Sequence, residues 1–358
     1  MKKVLLGMSG GVDSSVSAIR LIESGYEVCG CSLKLYDNET VSCDMKEGGC
    51  CSLADIEDAK SVCRRLGIDH ITLNFSDVFE KYVIRPFAET YRSGQTPNPC
   101  IECNRHMKFD LMLEKALMLG YDHIATGHYA VVRQSDDSGR WELLRSADSR
   151  KDQTYVLYCL SQYQLGHTLF PLGDMEKADV RALAEKYGLI NSHKPDSQDI
   201  CFVPDGDYTA FIDTYLGERE SGGVFADRDG NVMGTHPGVS GFTIGQRRGL
   251  GMAFGRPVFV TDKNASSGVV TLGDESDLFR KELILSDYND VSEVIGSEMR
   301  VTAKARYTAK EQSATAVRCD DGVRVIFDEP VRAPAPGQAC VLYDGERVVG
   351  GGVIKLTY

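Results

Sequence analysis

The sequence predicts an α/β protein in which a doubly wound parallel sheet precedes a small mixed module and a C-terminal antiparallel β-barrel. Two observations carry this. From Val4 to Asn74, short apolar runs alternate with amphipathic stretches, as βαβ units do. Beyond Pro204 the helical period fades and Gly-containing turns separate short β-rich runs, as in hairpins. The 358 residues leave room for two or three domains, which we expect at 1–205, 206–280 and 281–358.

In chain order, Val4 to Met8 reads as a strand, Ser14 to Ser24 as a helix and Tyr26 to Leu33 as a second strand. Leu53 to Leu66 follows as a helix and His70 to Leu73 as a third strand. Helical periodicity returns at Val78 to Tyr91 and His106 to Leu119, with the Cys-x-x-Cys of Cys100 and Cys103 just ahead of the second helix. A short strand at His123 to Ala125 and a helix at Lys177 to Tyr187, stopped by Gly188, complete the first domain. Further on, Asp229-Gly230, Ser267-Gly268, Asp321-Gly322 and Asp344-Gly345 mark the turns of the β-rich part.

Forty Lys and Arg against 52 Asp and Glu leave a net charge of −12, and 42% hydrophobic with 26% charged residues is an ordinary globular composition. Disordered, collagenous and coiled-coil readings are excluded. No apolar run approaches the roughly 20 residues of a spanning helix, so neither a membrane segment nor a signal peptide is expected. The 12 cysteines of so long a chain then read as reduced cytoplasmic thiols. The acidic balance argues against diffuse nucleic-acid binding and leaves room only for a local basic face.

The most specific signal is Ser9-Gly10-Gly11-Val12-Asp13-Ser14-Ser15, between a predicted strand and a predicted helix. Small side chains there expose successive backbone N–H groups to an anion, and the helix N-terminus adds partial positive charge. A Walker loop would end in Gly-Lys-Ser/Thr and a dinucleotide site would show Gly-x-Gly-x-x-Gly; neither is present. The segment resembles the PP-loop of the ATP pyrophosphatases, which cleave ATP between the α and β phosphates and adenylate an oxygen of a second substrate. Thr126-Gly127-His128-Tyr129 follows a strand and should reach the same edge of the sheet.

Of the cysteines, Cys29, Cys31, Cys63, Cys159, Cys319 and Cys340 lie among apolar neighbours and read as core. Cys43, Cys50 and Cys51 fall in a Gly-rich loop, where a redox or ligand role and simple loop exposure both remain open. Cys100 and Cys103, next to a helix start, and Cys201, in the polar run Asp196-Ser197-Gln198-Asp199-Ile200-Cys201-Phe202, are candidates for reactive thiolates. Zinc, redox, Fe–S and nucleophilic chemistry all use such a Cys-x-x-Cys.

The PP-loop, Thr96-Pro97-Asn98-Pro99, Cys103-Asn104, Thr126 to Tyr129, Lys151-Asp152-Gln153, Cys201-Phe202 and Gly245-Gln246-Arg247-Arg248-Gly249-Leu250-Gly251 occur in this order over essentially the whole chain. In this the sequence resembles the bacterial tRNA-specific 2-thiouridylases, which replace the 2-oxygen of the wobble uridine by sulfur in the tRNAs for Glu, Gln and Lys. The resemblance implies ATP with Mg2+ as cosubstrate, bound by Gly7, Met8, Ser9, Gly10, Gly11, Val12, Asp13, Ser14, Leu33 and Gly127. It implies a persulfide on Cys201, a nucleophile at Cys103 and a transient disulfide between them. Contacts to tRNA are implied for Asn98, Pro99 and Cys100 at the target base, and for His128, Lys151, Asp152, Gln153, Arg306, Tyr307 and Gln338. A cysteine desulfurase, a sulfur carrier or free sulfide would deliver the sulfur to a monomeric enzyme.

One departure matters: many members of that family carry Asp where this chain has Cys100. With Cys100, Cys103 and Cys201 the sequence offers three thiolates, the set with which related PP-loop thiolases hold a four-iron, four-sulfur cluster. A cluster-dependent variant is therefore the favoured expectation, with the persulfide route as the alternative.

Reaching C2 of an anticodon base requires flipping it into a pocket while the phosphates are gripped outside. Candidate grips are Arg145, Arg150 and Lys151; Arg105 and Lys108; Gln246, Arg247, Arg248 and Arg256; and Arg300, Lys304 and Arg306, placed on one face of a strand from Glu298 to Tyr307. Two other readings remain at this point: a PP-loop ligase or amidotransferase adenylating a small metabolite, and a non-catalytic tRNA-binding or iron–sulfur protein.

Overall fold

In a computed structural model of the protein, residues 1–36, 53–196, 200–203 and 205–358 are described. Strands β1 (Lys3–Gly7), β2 (Glu27–Lys34), β3 (Asp69–Asn74) and β4 (His123–Ala125) lie in one sheet. The hairpin β5 (Val131–Gln134) and β6 (Trp141–Leu144) belongs elsewhere, and β7 (Thr168–Leu169) completes the sheet in the order β3-β2-β1-β4-β7. All four pairings are parallel. Parallel strands are covered on both faces, which is why Val4, Leu5 and Leu6 are all apolar and fully buried. Alternation sends Leu5 into the core shared with the helical stretches 76–92 and 99–118. Val4 and Leu6 face the opposite core, with Val16 and Ile19 of helix α1 (Val12–Glu23) and Val62 of α2 (Leu53–Leu66).

The strand order reverses at β1, so the loops after β1 and β4 open into one crevice at the carboxyl edge of the sheet, where open α/β sheets take ligands.

The helix expected to start at His106 begins earlier, so Cys100 and Cys103 lie within it rather than ahead of it. The Asn98 side chain accepts a hydrogen bond from the Cys100 N–H at 3.2 Å and Pro99 occupies the first helical position. From Cys103 to Leu111 the helix has wide π-type turns, as does Glu80–Ile84 in the preceding helix. Those turns break the 3.6-residue period by which the helix start was read.

Strands β8 (Gly223–Ala226), β9 (Val232–His236), β10 (Phe259–Asn264) and β11 (Val269–Gly273) form a mixed four-stranded sheet in the order β10-β11-β8-β9, with its own core around Phe225 and Phe242. Strands β12 (Phe279–Asp290), β13 (Glu298–Lys304), β14 (Gln312–Cys319), β15 (Gly322–Arg332), β16 (Ala339–Asp344) and β17 (Arg347–Thr357) are antiparallel and close into a barrel through the β12–β17 pairing. The four expected turns all fall between successive strands of these two sheets.

The hairpin β5–β6, invisible to the sequence reading, joins the barrel sheet where Leu144 pairs with Arg347 of β17. Another expectation changes at Cys319, which is half-exposed at a hairpin end while the other five expected core cysteines are buried.

Candidate functional site

The loop after β1 is shaped by close approach. Gly10 has φ +69°, and a Cβ on it would stand 2.4 Å from the Asp55 carbonyl oxygen. Gly127, after β4, packs so tightly that its Cβ would meet the Ser14 backbone nitrogen at 2.8 Å. The two expected nucleotide-binding loops therefore touch. Within the first turn Ser14 Oγ and Ser15 Oγ both donate to the Gly11 carbonyl, at 3.1 and 3.0 Å. Asn191, buried and not singled out by any motif, donates through Nδ2 to the Gly10 carbonyl and to Ser15 Oγ, each at 2.9 Å, and so fixes the loop from outside. Gly7 ends β1, Met8 is buried beneath the loop, Ser9 is exposed, and Leu33 is nearly buried close to the end of β2.

Asp13 does not stand alone. Its carboxylate accepts from Tyr129 Oη at 2.8 Å and, through both oxygens, from Lys177 Nζ at 2.7 and 2.8 Å. Lys177 Nζ also lies 2.8 Å from Asp196 Oδ1, and Asp196 in turn takes Lys151 Nζ at 2.7 Å and Arg181 at 3.4 Å. Burial works against the Asp196 charge, but Lys151 and Lys177 outweigh it and hold the carboxyl below the usual aspartate range.

The segment 151–156 connects the expected sites. Gln153 exchanges hydrogen bonds with the Tyr129 backbone through its own N–H and its Oε1, at 3.0 and 2.9 Å. The carbonyl of Val156 accepts from Asn104, next to Cys103, at 2.9 Å. Tyr155 Oη donates to the Ala339 carbonyl of β16 at 2.7 Å, and its ring meets Tyr307 edge to face at 5.7 Å. Asp152, accepting from Ser146 N–H and Thr154 Oγ1, has its pKa raised by burial despite these bonds.

The barrel grips the Thr96 to Cys100 loop directly. Gln338 Nε2 donates to the Thr96 and Pro97 carbonyls at 2.9 and 3.2 Å, and Thr96 N–H donates to the Pro336 carbonyl at 2.9 Å. Pro99 is buried, Asn98 half-buried and Cys100 exposed. Tyr307, 44% exposed, has its pKa raised first by burial and then by the nearby Asp152, with Lys151 opposing and Cys100 adding to it, so the barrel face and the cysteine loop border one space. Gln338→Leu is expected to lower stability by about 1–3 kcal/mol, because the Thr96 and Pro97 carbonyls lose their partner. The urea-unfolding midpoint checks this; an unchanged midpoint contradicts it.

Cys103 is 8% exposed within the core, and Cys201 is half-buried, its carbonyl accepting from Tyr36 Oη at 3.0 Å. Among the described residues no three His, Cys, Asp or Glu side chains stand together as a set able to hold a metal ion. Cys100, Cys103 and Cys201 are accordingly not gathered into such a set among the described residues, and the expected four-iron cluster is not shown. Cys43, Cys50, Cys51 and Ser197 to Asp199 lie outside the described residues.

The expected basic stripe is largely compensated. Arg300 is bound bidentately by Asp328, at 2.9 and 2.7 Å, Lys304 is half-buried near Asp152 and Glu311, and Arg306 lies past the end of β13 with one guanidinium nitrogen on the Ile244 carbonyl at 2.7 Å. Arg145 pairs with Glu311 and lies over the Tyr343 ring, Arg105 pairs with Asp287, and Arg256 with Asp274. Arg247 and Arg248 are exposed, on a concavity of about 540 Å3 walled by residues 247–258.

His128 Nδ1 lies 2.7 Å from Thr126 Oγ1, and its ring packs between Phe109 and Phe170. Burial, with the nearby Lys108 charge, holds its pKa well below the usual histidine value, so it is neutral. A depressed histidine leaves stability intact above the unfolded pKa of about 6.5 and removes it as pH falls below that value. His128→Gln is therefore expected to shrink the loss of urea resistance between about pH 7.5 and about pH 5. An unchanged loss, measured by the unfolding midpoint, would contradict a neutral, half-buried ring.

A phosphate-binding loop at the switch point of a parallel sheet, braced against a closed β-barrel that holds a cysteine-bearing loop, defines a nucleotide-binding α/β protein with an appended barrel. The description "tRNA methyl transferase HUP domain" matches residues 2–205, "tRNA methyl transferase PRC-barrel domain" matches 209–274 and "Aminomethyltransferase beta-barrel domain" matches 280–354. The chain is 49% identical to the tRNA-specific 2-thiouridylase MnmA of Acetivibrio thermocellus over 99% of both chains. It is 48% identical to that of Clostridioides difficile and 50% identical to that of Clostridium botulinum, over 99% of this chain and 98% of each relative. The chain belongs to the tRNA-specific 2-thiouridylase family.

Among the described residues no helix is long and apolar enough to cross a membrane.

Proposed function

We propose that the protein is an ATP-dependent tRNA sulfurtransferase that replaces the 2-oxygen of the wobble uridine, in the tRNAs for Glu, Gln and Lys, by sulfur. The carrying observation is the junction at which residues 151–156 tie the nucleotide loops to the barrel-held cysteine loop, in a chain nearly half identical to full-length 2-thiouridylases. A ligase acting on a small metabolite has no use for a barrel that reaches into its site.

The uracil O2 attacks the α-phosphorus of ATP bound with Mg2+ at Gly7 to Ser14, Leu33 and Gly127, and pyrophosphate leaves. This turns a poor leaving group into AMP. The terminal sulfur of a persulfide on Cys201 attacks C2 and AMP departs, leaving the base joined to Cys201 through two sulfurs. The Cys103 thiolate then attacks Cys201 Sγ, the other sulfur stays on the base as the thione, and a Cys103–Cys201 disulfide remains. A thiol reductant resets it and a desulfurase or carrier persulfide passes sulfane sulfur to Cys201; sulfide instead reloads Cys201 by attacking the Cys103–Cys201 disulfide itself, with the Cys103 thiolate as leaving group. Cys103 has to leave its buried setting for that step, and the wide helical turns that begin at Cys103 give it the backbone with which to do so.

Asn98, Pro99 and Cys100 border the base; Lys151, Asp152, Gln153, His128, Arg306, Tyr307 and Gln338 shape the wall around it. The exposed Arg247 and Arg248, in the small module, meet phosphates. The enzyme is proposed to work as a cytoplasmic monomer. Incubation with ATP, tRNA and a sulfur source should yield AMP and 2-thiouridine together; AMP formed without any dependence on tRNA would refute the reading.

A further inference from the structure

Of the three cations that meet beside the PP-loop, Lys177 and Arg181 belong to no expected site, and Lys151 is an expected tRNA contact whose ammonium also turns toward the loop. A loop of N–H groups and one helix N-terminus supply about half a positive charge, too little for the tail of a triphosphate. Lys177 is 11% exposed and reaches Asp13, the second residue of α1, so its ammonium stands beside the phosphate-binding turn. Lys151 and Arg181 converge on the same place through their shared partner, Asp196. Three cations thus surround one carboxylate, in the position a multiply charged anion would take. Lys194, by contrast, is used up at 2.7 Å from both Asp55 and Asp58 and only braces the loop from α2.

We infer that Lys177, Lys151 and Arg181 grip the β- and γ-phosphates of ATP and the pyrophosphate that leaves, and that Asp196 is an internal anion which the polyphosphate must displace. The inference rests on the ATP-dependent reading above. Asp13 keeps Lys177 in place through its two short contacts while Tyr129 Oη holds Asp13 from the other side, so the ammonium stays aimed at the loop when Asp196 is displaced. Asp196 thereby weakens ATP and pyrophosphate binding, and keeps AMP, which has no β-phosphate, outside the contest.

The test is calorimetric titration of the full chain with α,β-methylene-ATP, Mg-pyrophosphate and AMP. Asp196→Asn, which keeps the side-chain shape, should bind the first two about tenfold tighter and AMP unchanged. Lys177→Met should bind the first two at least about tenfold more weakly, again with AMP unchanged. Should Lys177→Met fail to fold because Asp13 is left uncompensated, Arg181→Met on the more open rim should show the same split to a smaller degree. No gain in Asp196→Asn, or equal losses for AMP and the analogue in the cation variants, would overturn the grip. A parent protein that binds none of the three would instead overturn the ATP-dependent reading.

Discussion

Cys201→Ser is expected to lower 2-thiouridine formation by at least about 10^3-fold, the scale at which loss of a nucleophile acts, with tRNA affinity nearly unchanged. A hydroxyl cannot carry sulfane sulfur, so no part of the reaction after adenylation can proceed. Cys201 is half-buried and its backbone carbonyl is held by Tyr36, so the exchange of one atom leaves its surroundings in place. Thiolation by liquid chromatography of nucleosides and tRNA binding by filter retention check the two halves. Retained thiolation would remove Cys201 from the mechanism. Metal-held sulfide is tested separately, by iron and acid-labile sulfide content after anaerobic purification. The persulfide route expects no iron in the parent protein or in Cys100→Ser.

Gly127→Ala is expected to lower tRNA-dependent AMP formation by about 10^2-fold or more, because a displacement of the order of 1 Å at a reacting centre costs that much. The new methyl group would sit 2.8 Å from Ser14 N and 2.9 Å from the Asp13 carbonyl carbon. Both are backbone atoms of the helix turn that receives the phosphates, so no flexible side chain can absorb the clash. The Asp13 contacts with Lys177 and Tyr129 resist movement from the other side. Far-ultraviolet circular dichroism should stay parental while ATP affinity falls with the rate. An active, ATP-competent Gly127→Ala protein would show that the approach of the two loops is not what shapes the site.

The legible parts of this protein are those whose cause lies within a few residues. The strand, glycine turn and helix from Lys3 to Glu23 follow from an apolar run, small residues and an amphipathic period. The hairpin turns follow from Asp-Gly and Ser-Gly pairs. The Asn98 cap and Pro99 were also in plain view, yet the π-type turns from Cys103 onward disturb the period and hid the helix start. The face shared by Arg300 and Lys304 was readable from alternation; that Asp328 on β15 would take the Arg300 charge, and Glu311 in the connection before β14 would stand near Lys304, was not.

The sequence alone determined the local chemistry: a phosphate-binding turn, thiols next to a helix start, and a family resemblance that supplied their roles. Only the tertiary structure decided which distant groups meet. Lys177 lies 164 residues from Asp13, Gln338 lies 242 from Thr96, and Arg347 pairs across to Leu144. Such contacts depend on strand order and barrel closure, which add up small preferences over the whole chain, and no short stretch of residues carries that sum.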